Sequence, residues 1–342
     1  MNKFIIASSH PDAGLSNRLK CLISVLRLAE KFDRIPLLHW TRSFTCGGKF
    51  QELFDTQFLQ IDDDQLKRLI SRSDVVRCET YKDVEKSDAK FIILDNWRFI
   101  TFPRDIKGGF TQIYPSNKMN SIDLEYERIP KKLCKEYLKY INWLVPTKEI
   151  DLATKNFIKG HKNFKNSIGL HIRRAEFLLN KDGRGRVSKD ENFYEEINNI
   201  LIKNPQTQFF LATDSKETEK KFLNKFGKRI IILLEKNWDK STSESTKNAL
   251  VEMLLLSKTR MILGTYLSTF TEMAWWFGNC RQKVEIMGDE DEKKRVLTRV
   301  LAGNEKQKIS PVNELLKNIR RESKLFRKMI DSYMRVKNRG YY

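Results

Sequence analysis

The stretch "SIGLHIRRAEF", residues 167–177, contains the pattern that decides the fold of this chain. A short apolar run of the strand type ends directly in two adjacent arginines, Arg173 and Arg174. Both guanidinium groups cannot lie along one wall of an apolar core, because a buried charge without a partner is costly. The pair therefore predicts an anionic group beyond the end of this strand.

Short apolar strands alternate with helical segments on both sides of this stretch. The predicted strands span 3–8, 34–40, 88–96, 166–172, 207–214, 228–234 and 260–265, and helical segments follow several of them. This alternation favours parallel sheets covered by helices on both faces. We predict an α/β protein with two such units, divided near 150–165, where the sequence is polar and basic.

Length, charge and cysteine usage limit the function of the chain. Its 342 residues suit two domains, and its net charge of +20 predicts an anionic partner, which is a nucleic acid, a membrane surface or a phosphorylated substrate. Five dispersed cysteines without a CxxC motif indicate a reducing compartment. With no signal-peptide pattern and no run of about 18 apolar residues, we expect a cytoplasmic protein with at most a peripheral contact to anionic lipid.

The segment from 305 onward is predicted to form a basic amphipathic helix. Its apolar face combines Ile319, Phe326, Ile330 and Tyr333, and basic residues surround that face. Two interpretations are open, a closing helix that packs across the domains and a helix that lies on an anionic membrane surface.

Polar clusters stand at the ends of three predicted strands in the second half. They are His171, Arg173 and Arg174; Thr213, Asp214 and Ser215; and Gly264 and Thr265, which lead to Ser268 and Thr269 at a helix start. Ligands of doubly wound sheets bind beyond the carboxyl ends of the strands. Arginine grips two phosphate oxygens at once, and a helix start adds hydroxyls, free amides and the positive end of the dipole. Together these clusters predict a pyrophosphate cradle.

Each member of this cradle also has a plain structural interpretation. Adjacent arginines are common on solvated surfaces, and Ser268 can be an N-cap with Glu272 near capping-box spacing. The sequence contains no GxxxxGKS or GxxxxGKT phosphate loop, no GxGxxG turn and no metal-ligand cluster. Arginine would then replace Mg²⁺ as the counter-charge of a diphosphate leaving group. This combination predicts a nucleotide-sugar transferase that needs neither a metal nor a cofactor.

Four segments resemble motifs of the fucosyltransferase superfamily, which includes α1,6-, α1,2-, protein O- and rhizobial nodulation fucosyltransferases. They are "GLHIRRAE", "FFLATDS", "ALVEMLLLSKTRMILGTYLSTFTEMAWW" and, near the N-terminus, "GLSNRLKCLISVLRLAEKF". The first three occur in order at suitable spacing, and the resemblance covers 165–280 well and 10–40 more weakly. It implies a GT-B-like pair of Rossmann-type domains that face a cleft and bind GDP-fucose.

The resemblance also implies domain limits and donor-binding residues. Residues 1–160 would form the acceptor-side domain, 161–303 the nucleotide-sugar-binding domain and 304–342 the C-terminal helix. Arg173 resembles the arginine that binds the β-phosphate, and Glu252 stands where relatives place an acidic residue that pairs with guanine. The other implied donor-binding residues are His171, Arg174, Asp214, Ser268 and Thr269, with Gly14, Asn17 and Arg18 in the N-terminal loop.

The catalytic base has three candidates. Glu176 takes the place of the aspartate that usually follows the arginine pair in this family, and Asp182 lies a few residues further on. Asp12 precedes Gly14, in a loop where some relatives carry an acidic residue. Each of the three has the alternative interpretation of a solvated loop carboxylate.

The implied reaction is an inverting displacement at the anomeric carbon of the donor sugar. A hydroxyl of a glycan or glycolipid attacks, Arg173 stabilises the leaving β-phosphate, and a carboxylate takes the hydroxyl proton. Three alternatives are a transferase for another GDP-sugar, a basic nucleic-acid-binding protein and a non-catalytic lectin-like relative. The basic residues are spread throughout the chain and no recognised nucleic-acid module is present, so we expect no nucleic-acid partner.

Overall fold

The computed structural model describes residues 2–8, 12–78, 81–95, 131–174, 184–293 and 295–296. Met1–Val296 form one compact unit, which contains two parallel β-sheets and the helices around them. The prediction of an α/β fold with parallel sheets is confirmed, whereas the domain limits stay a prediction. The predicted helix over 304–342 lies outside the described residues, as do two of the candidate bases, Glu176 and Asp182.

The first sheet contains four parallel strands in the order β2-β1-β4-β3. They are β1 (Phe4–Ser8), β2 (Ile35–His39), β3 (Val75–Cys78) and β4 (Phe91–Asp95). The register aligns Ser8 with His39 and Asp95, so the carboxyl ends of three strands lie side by side at one edge. The sequence pattern does not predict β3, because four residues with Arg77 among them make a very short apolar run.

The described part of the first half contains six helices. They are α1 (Leu15–Lys31), α2 (Phe50–Leu53), α3 (Asp63–Ile70), α4 (Tyr81–Lys86), α5 (Lys131–Ile141) and α6 (Lys148–Gly160). Helix α1 is buried along most of its length, as the helical spacing of its leucines predicts. Helix α6 occupies the stretch that the sequence predicts as a polar connection between the two units. Among the described residues, no helix combines the length and apolar composition needed to cross a bilayer.

The second sheet contains five parallel strands in the order β7-β6-β5-β8-β9. Its strands are β5 (Ile168–Ile172), β6 (Phe209–Thr213), β7 (Ile230–Ile232), β8 (Met261–Gly264) and β9 (Lys283–Ile286), and its helices are α7 (Arg184–Val187), α8 (Asp190–Lys203), α9 (Lys216–Phe226), α10 (Ser243–Leu256) and α11 (Thr269–Phe277). Every residue of β5 and β6 is buried, because these strands have neighbours on both sides and helices on both faces. Residues 168–172, the apolar run that precedes Arg173 and Arg174, thus form the central strand of this sheet.

A buried ion pair joins the two halves of the chain. Lys20 of α1 places its Nζ 2.5 Å from Oε2 of Glu272 in α11, and both side chains are at most 1% exposed. The second carboxylate oxygen of Glu272 accepts a hydrogen bond from Nε1 of Trp276 at 3.3 Å. A charge pair removed from water in this way holds the two helices in one arrangement, because separation would leave either charge buried without its partner.

A close backbone approach at Gly47 also joins the two halves. The Gly47 amide donates to the carbonyl of Lys240 at 2.9 Å, and the Gly48 amide donates to Oγ1 of Thr246 at 2.9 Å. A Cβ atom at Gly47 would stand 1.9 Å from the carbonyl oxygen of Ser241, so only glycine fits there. The loop that precedes α10 and the first turn of α10 are therefore held against the first half of the chain.

We predict that Lys20→Met destabilises the protein strongly. The substitution leaves the Glu272 carboxylate buried without its cation, and breaking a buried pair in this way costs about 3–5 kcal/mol in the free energy of unfolding. Urea denaturation followed by circular dichroism measures this loss. The double variant Lys20→Met/Glu272→Gln is expected to lose less than Lys20→Met alone, because it buries no unpaired charge.

The matched control is Lys155→Met, which removes one partner of an exposed pair. Lys155 and Asp151 are 69% and 45% exposed, and we expect a change of about 1 kcal/mol or less in the free energy of unfolding. Equal losses in Lys20→Met and Lys155→Met would show that the buried pair does not hold the helices.

Candidate functional site

The carboxyl ends of β5, β6 and β8 meet at one edge of the second sheet. The register pairs Ile172 of β5 with Thr213 of β6, and His171 of β5 with Gly264 of β8. The residues that follow these positions are Arg173, Asp214 and Thr265, which are therefore neighbours in space. This is the edge at which the sequence predicts a ligand.

Arg173 is fixed through its backbone while its guanidinium remains partly exposed. Its amide donates to Oγ1 of Thr265 at 3.0 Å, and the Thr265 hydroxyl donates to the carbonyl of His171 at 2.9 Å. The guanidinium Nε lies 4.0 Å from Oδ2 of Asp214, and the side chain is 29% exposed. Arg173 therefore presents a positive charge at the sheet edge from a rigid strand end.

Arg174 has a different environment from that of Arg173. Its guanidinium is buried and donates from Nε and Nη2 to Oδ1 of Asp190, at 2.8 and 2.6 Å. Nη1 donates to the carbonyl of Arg173 at 2.9 Å, and the group lies 5.9 Å from the centre of the Phe193 ring. These contacts tie the end of β5 to the start of α8, so Arg174 supports the fold, and its donor-binding role stays a prediction.

Asp214 is the acceptor that the end of β5 and the loop before α10 share. Its Oδ1 accepts from the Arg174 amide at 2.7 Å, and its Oδ2 accepts from Nζ of Lys240 at 3.1 Å. Since Oδ2 also faces Arg173, two cationic side chains share one carboxylate oxygen. Asp214 thus positions cations at the sheet edge, which is compatible with its predicted place near a donor.

His171 points into the protein and is held there as a neutral ring. Its Nδ1 hydrogen-bonds with Oγ1 of Thr271 at 2.7 Å, and its ring stacks on Phe270 with centroids 4.7 Å apart. Burial lowers the pKa of His171 to about 3; Asp214 opposes this shift, and Arg173 and Arg174 add to it. The ring therefore packs β5 against α11 without carrying a charge at neutral pH.

The loop from β8 to α11 brings the predicted Ser268 and Thr269 to a helix N-terminus. Both residues are almost fully buried, and α11 begins at Thr269. Leu267, directly before them, has a positive φ of 53°, which turns the chain sharply into the helix. The Ser268 side chain makes no capping hydrogen bond to α11, and Glu272 pairs with Lys20, so the capping-box interpretation does not hold.

Glu252 lies in α10 and faces a lysine inside the protein. Its Oε1 accepts from Nζ of Lys236 at 2.8 Å, and the same Nζ lies 2.6 Å from Oε2 of Glu219. Burial raises the pKa of Glu252 to about 7, and Lys236 opposes this shift. In this arrangement the carboxylate is engaged with Lys236, and its predicted contact with guanine stays a prediction.

The N-terminal loop has its own set of contacts at the start of α1. Gly14 is the N-cap of α1 in an extended conformation, and Asp12 is exposed. Arg18 is buried and donates to the carbonyls of Ala13 and Thr41 and to Oγ of Ser43. Burial lowers its pKa, and Cys46 opposes the shift. The Arg18 guanidinium thus holds the loop after β2, and its predicted role toward a donor is untested.

Asn17 carries a buried acceptor at the start of α1. Within the described ranges its Oδ1 has no hydrogen-bond partner, although the side chain as a whole is only partly buried. A buried polar atom of this kind costs free energy unless a ligand or water satisfies it. This makes Asn17 the residue of the predicted N-terminal set with the clearest capacity for a ligand contact.

Two further features bear on catalysis. In the parts of the chain that the structure describes, His, Cys, Asp and Glu side chains form no group of three that would hold a metal ion. Independence from metal stays a prediction, since it concerns the reaction. Of the three candidate bases, Asp12 alone lies within the described residues, as an exposed side chain.

Sequence reasoning missed three charged residues of this region, Asp190, Lys236 and Lys240. Each stands in a polar stretch with many similar residues, and the chain contains 64 lysines and arginines in total. The only local signal is the short motif "EKNWDK", 235–240, in which two lysines flank a tryptophan after a strand. Spacing alone does not distinguish this motif from a solvated loop.

We predict that His171 makes stability depend on pH in a defined direction. The unfolded chain protonates this histidine near its ordinary value of 6.5, whereas the folded chain does so only near pH 3. The unfolded state therefore holds more protons in this window, and the free energy of unfolding falls as the pH decreases. Between pH 7 and pH 5 the loss from this group is about 2 kcal/mol.

The variant His171→Asn isolates this contribution, because it keeps a polar group near Thr271 but does not titrate. Urea denaturation of both proteins at pH 7 and pH 5 measures it. The free energy of unfolding of the wild type, relative to that of the variant, should be about 2 kcal/mol lower at pH 5 than at pH 7. A difference that is the same at both pH values would contradict the neutral buried ring.

We predict that alanine substitutions of the two adjacent arginines lower the free energy of unfolding by different amounts. Arg174→Ala removes the cation from the largely buried Asp190 carboxylate, and we expect a loss of about 3 kcal/mol in the free energy of unfolding. Arg173→Ala is expected to cost about 1 kcal/mol or less, because that guanidinium is partly exposed. Chemical denaturation of the two variants side by side measures the contrast, and similar losses would contradict it.

No protein-family profile and no curated protein sequence matches the chain. Solved structures do match it. The crystal structure of NodZ alpha-1,6-fucosyltransferase co-crystallized with GDP aligns with a TM-score of 0.50 and 16% sequence identity, over 80% of this chain and 92% of that chain.

Two other solved structures align with slightly lower scores. Fucosyltransferase NodZ from Bradyrhizobium has a TM-score of 0.49 and 15% identity, over 80% of this chain and 92% of that chain. POFUT1 in complex with GDP has a TM-score of 0.48 and 12% identity, over 84% and 99%. At such identities a likeness concerns the fold. At that level the resemblance is confirmed, and the chain has the GT-B-like α/β fold of the fucosyltransferase with which it aligns.

Proposed function

We propose that this protein is an inverting glycosyltransferase that moves fucose from GDP-fucose to a hydroxyl of a glycan or glycolipid. The observation that carries the proposal is the placement of Arg173. Its backbone is fixed by Thr265, its guanidinium faces Asp214, and its side chain is partly exposed at the carboxyl edge of the sheet. A nucleotide diphosphate is the ligand that a partly exposed guanidinium on a fixed backbone suits.

The fold supports the same donor class. The solved enzyme that aligns with this chain at a TM-score of 0.50 is an alpha-1,6-fucosyltransferase that was co-crystallized with GDP. In doubly wound sheets ligands bind beyond the carboxyl ends of the strands. In this protein Arg173, Asp214 and Thr265 converge at that place. The sequence motifs that resemble this superfamily supply those three residues, so motif and geometry agree on one site.

In the proposed reaction Arg173 stabilises the charge that develops on the leaving diphosphate. The bond from the anomeric carbon to the β-phosphate oxygen breaks as the acceptor hydroxyl oxygen attacks from the opposite face. Charge on the diphosphate increases toward the transition state, so a preorganised guanidinium lowers the barrier more than it strengthens substrate binding. In this proposal the N-terminus of α11, which begins at Thr269, would add amide dipoles that favour an anionic group.

We assign the binding of the acceptor glycan to the first half of the chain. Asp12 precedes α1 there as an exposed carboxylate, whereas Asn17, with its buried Oδ1, is the predicted donor contact of the same segment. A carboxylate base that takes the hydroxyl proton would add less to the rate than the cation at the leaving group. The basic chain, with its net charge of +20, is suited to a peripheral contact with an anionic membrane that carries the acceptor.

Another GDP-sugar is the second candidate donor. The residues at this edge of the second sheet are proposed to bind the diphosphate, and none of them is assigned to the hexose. A donor panel that includes several GDP-sugars therefore belongs in the first experiment.

We predict that Arg173→Ala loses most of the transfer activity while remaining folded. Removal of one preorganised group that stabilises developing charge lowers kcat by about 100- to 1000-fold. Purified protein is incubated with GDP-fucose or another GDP-sugar and a set of glycan acceptors, and released GDP and glycosylated product are both quantified. Circular dichroism confirms the fold of the variant.

The matched control is Arg260→Ala. Arg260 is exposed and precedes β8, at the opposite edge of the sheet from Arg173. Its loss should leave kcat and KM unchanged. Near-normal turnover in Arg173→Ala, or a wild type that neither binds nor turns over any GDP-sugar, would overturn the proposed function.

A further inference from the structure

The loop between β7 and α10 presents one side of its chain to the candidate site. From 235 to 240 exposure alternates: Glu235, Asn237 and Asp239 are exposed, whereas the residues between them are partly buried. Those inward residues are Lys236, Trp238 and Lys240. The loop therefore has an inner face that consists of two lysines and a tryptophan.

The first of these lysines anchors the loop. Nζ of Lys236 lies between the carboxylates of Glu219 and Glu252, and it also stands 4.4 Å from the centre of the Trp238 ring. Desolvation lowers the pKa of Lys236, but the two carboxylates outweigh that effect and raise it above its ordinary value. One buried cation thus lies between two acidic side chains, and Lys236 has a structural role.

The second lysine has the reverse arrangement. Nζ of Lys240 lies 3.1 Å from Oδ2 of Asp214, and Nε of Arg173 lies 4.0 Å from the same oxygen. Here two cations share one carboxylate. The two side chains are also alike in accessibility, since Lys240 is 30% exposed and Arg173 is 29% exposed.

The position of Lys240 is built into the fold. Its carbonyl accepts from the Gly47 amide at 2.9 Å, and a side chain at Gly47 would collide with Ser241. On the other side Thr242 caps α10 by accepting from the Ser245 amide at 3.1 Å. The backbone of Lys240 is therefore held between the first half of the chain and the start of a helix.

We propose that Lys240 is a second cationic ligand of the donor β-phosphate, acting together with Arg173. The inference rests on the proposed function. Both cations surround one oxygen of Asp214, so a phosphate that meets Arg173 at this edge also lies beside the Lys240 ammonium. Arginine supplies a planar fork and lysine a compact charge with three donors, and the two together enclose a phosphate from two directions.

Asp214 has a positioning role in this arrangement. Its carboxylate holds the two cations close together before the donor binds, which avoids the repulsion that they would otherwise feel. It also accepts from the Arg174 amide, so the carboxylate itself is oriented by the end of β5. The β-phosphate then joins a set of charges that is already in place.

Calorimetric titration with GDP and with GMP tests the proposal on wild type, Lys240→Met and Lys240→Arg. GMP lacks the β-phosphate but keeps the rest of the nucleotide. We expect Lys240→Met to raise the Kd for GDP about tenfold, the loss of one charge-assisted hydrogen bond, while the Kd for GMP changes less than twofold. Lys240→Arg keeps the charge and should recover much of the GDP affinity.

The control is Lys258→Met, which removes an exposed lysine just before β8, at the far edge of the sheet. It should leave both Kd values unchanged, which separates a local contact from a general effect of charge. An unchanged Kd for GDP in Lys240→Met, or an equal loss for GMP and GDP, would overturn the role of Lys240 while leaving the proposed function intact. A wild type that does not bind GDP would overturn the proposed function itself.

Discussion

The carboxylate of Asp214 is the interaction on which the rest of the site depends. Its Oδ1 accepts from the backbone of Arg174, and its Oδ2 faces Lys240 and Arg173. One side chain at the end of β6 therefore fixes the end of β5 and the loop before α10. This is possible because β5 and β6 are parallel neighbours, so their carboxyl ends lie at the same edge.

Buried charges hold the surrounding elements in register with this centre. Arg174 pairs with Asp190 at the start of α8, Lys236 connects α9 with α10, and Lys20 of α1 pairs with Glu272 of α11. Each pair fixes the separation of two elements, because the loss of one partner leaves the other as a buried charge. The cations at Asp214 are partly exposed, in contrast to these pairs, and on this difference in burial we propose a binding role for them and a supporting role for the pairs.

The sequence predicts seven of the nine described strands and misses β3 and β9, which are both edge strands. Strands β5, β6 and β8 appear as continuous apolar runs, because a parallel strand with helices on both faces needs apolar residues at every position. Edge strands β3 and β9 carry charged residues on their exposed sides, so their runs are too short to stand out. The prediction of a polar connection near 150–165 misses α6, whose buried positions are few.

The sequence by itself predicts the strand ends at which a ligand is expected and the negative charge that we expect of it. An apolar run followed by Arg173 and Arg174, with Asp214 after the next strand, is sufficient for that conclusion. Only the tertiary structure decides which of the two arginines remains accessible and that Lys240 joins it. Neighbouring side chains at a strand end point in opposite directions, and one of them meets Asp190, 16 residues away. Lys240 reaches Asp214 across 26 residues of sequence, and contacts of this kind depend on how the chain folds back rather than on local spacing.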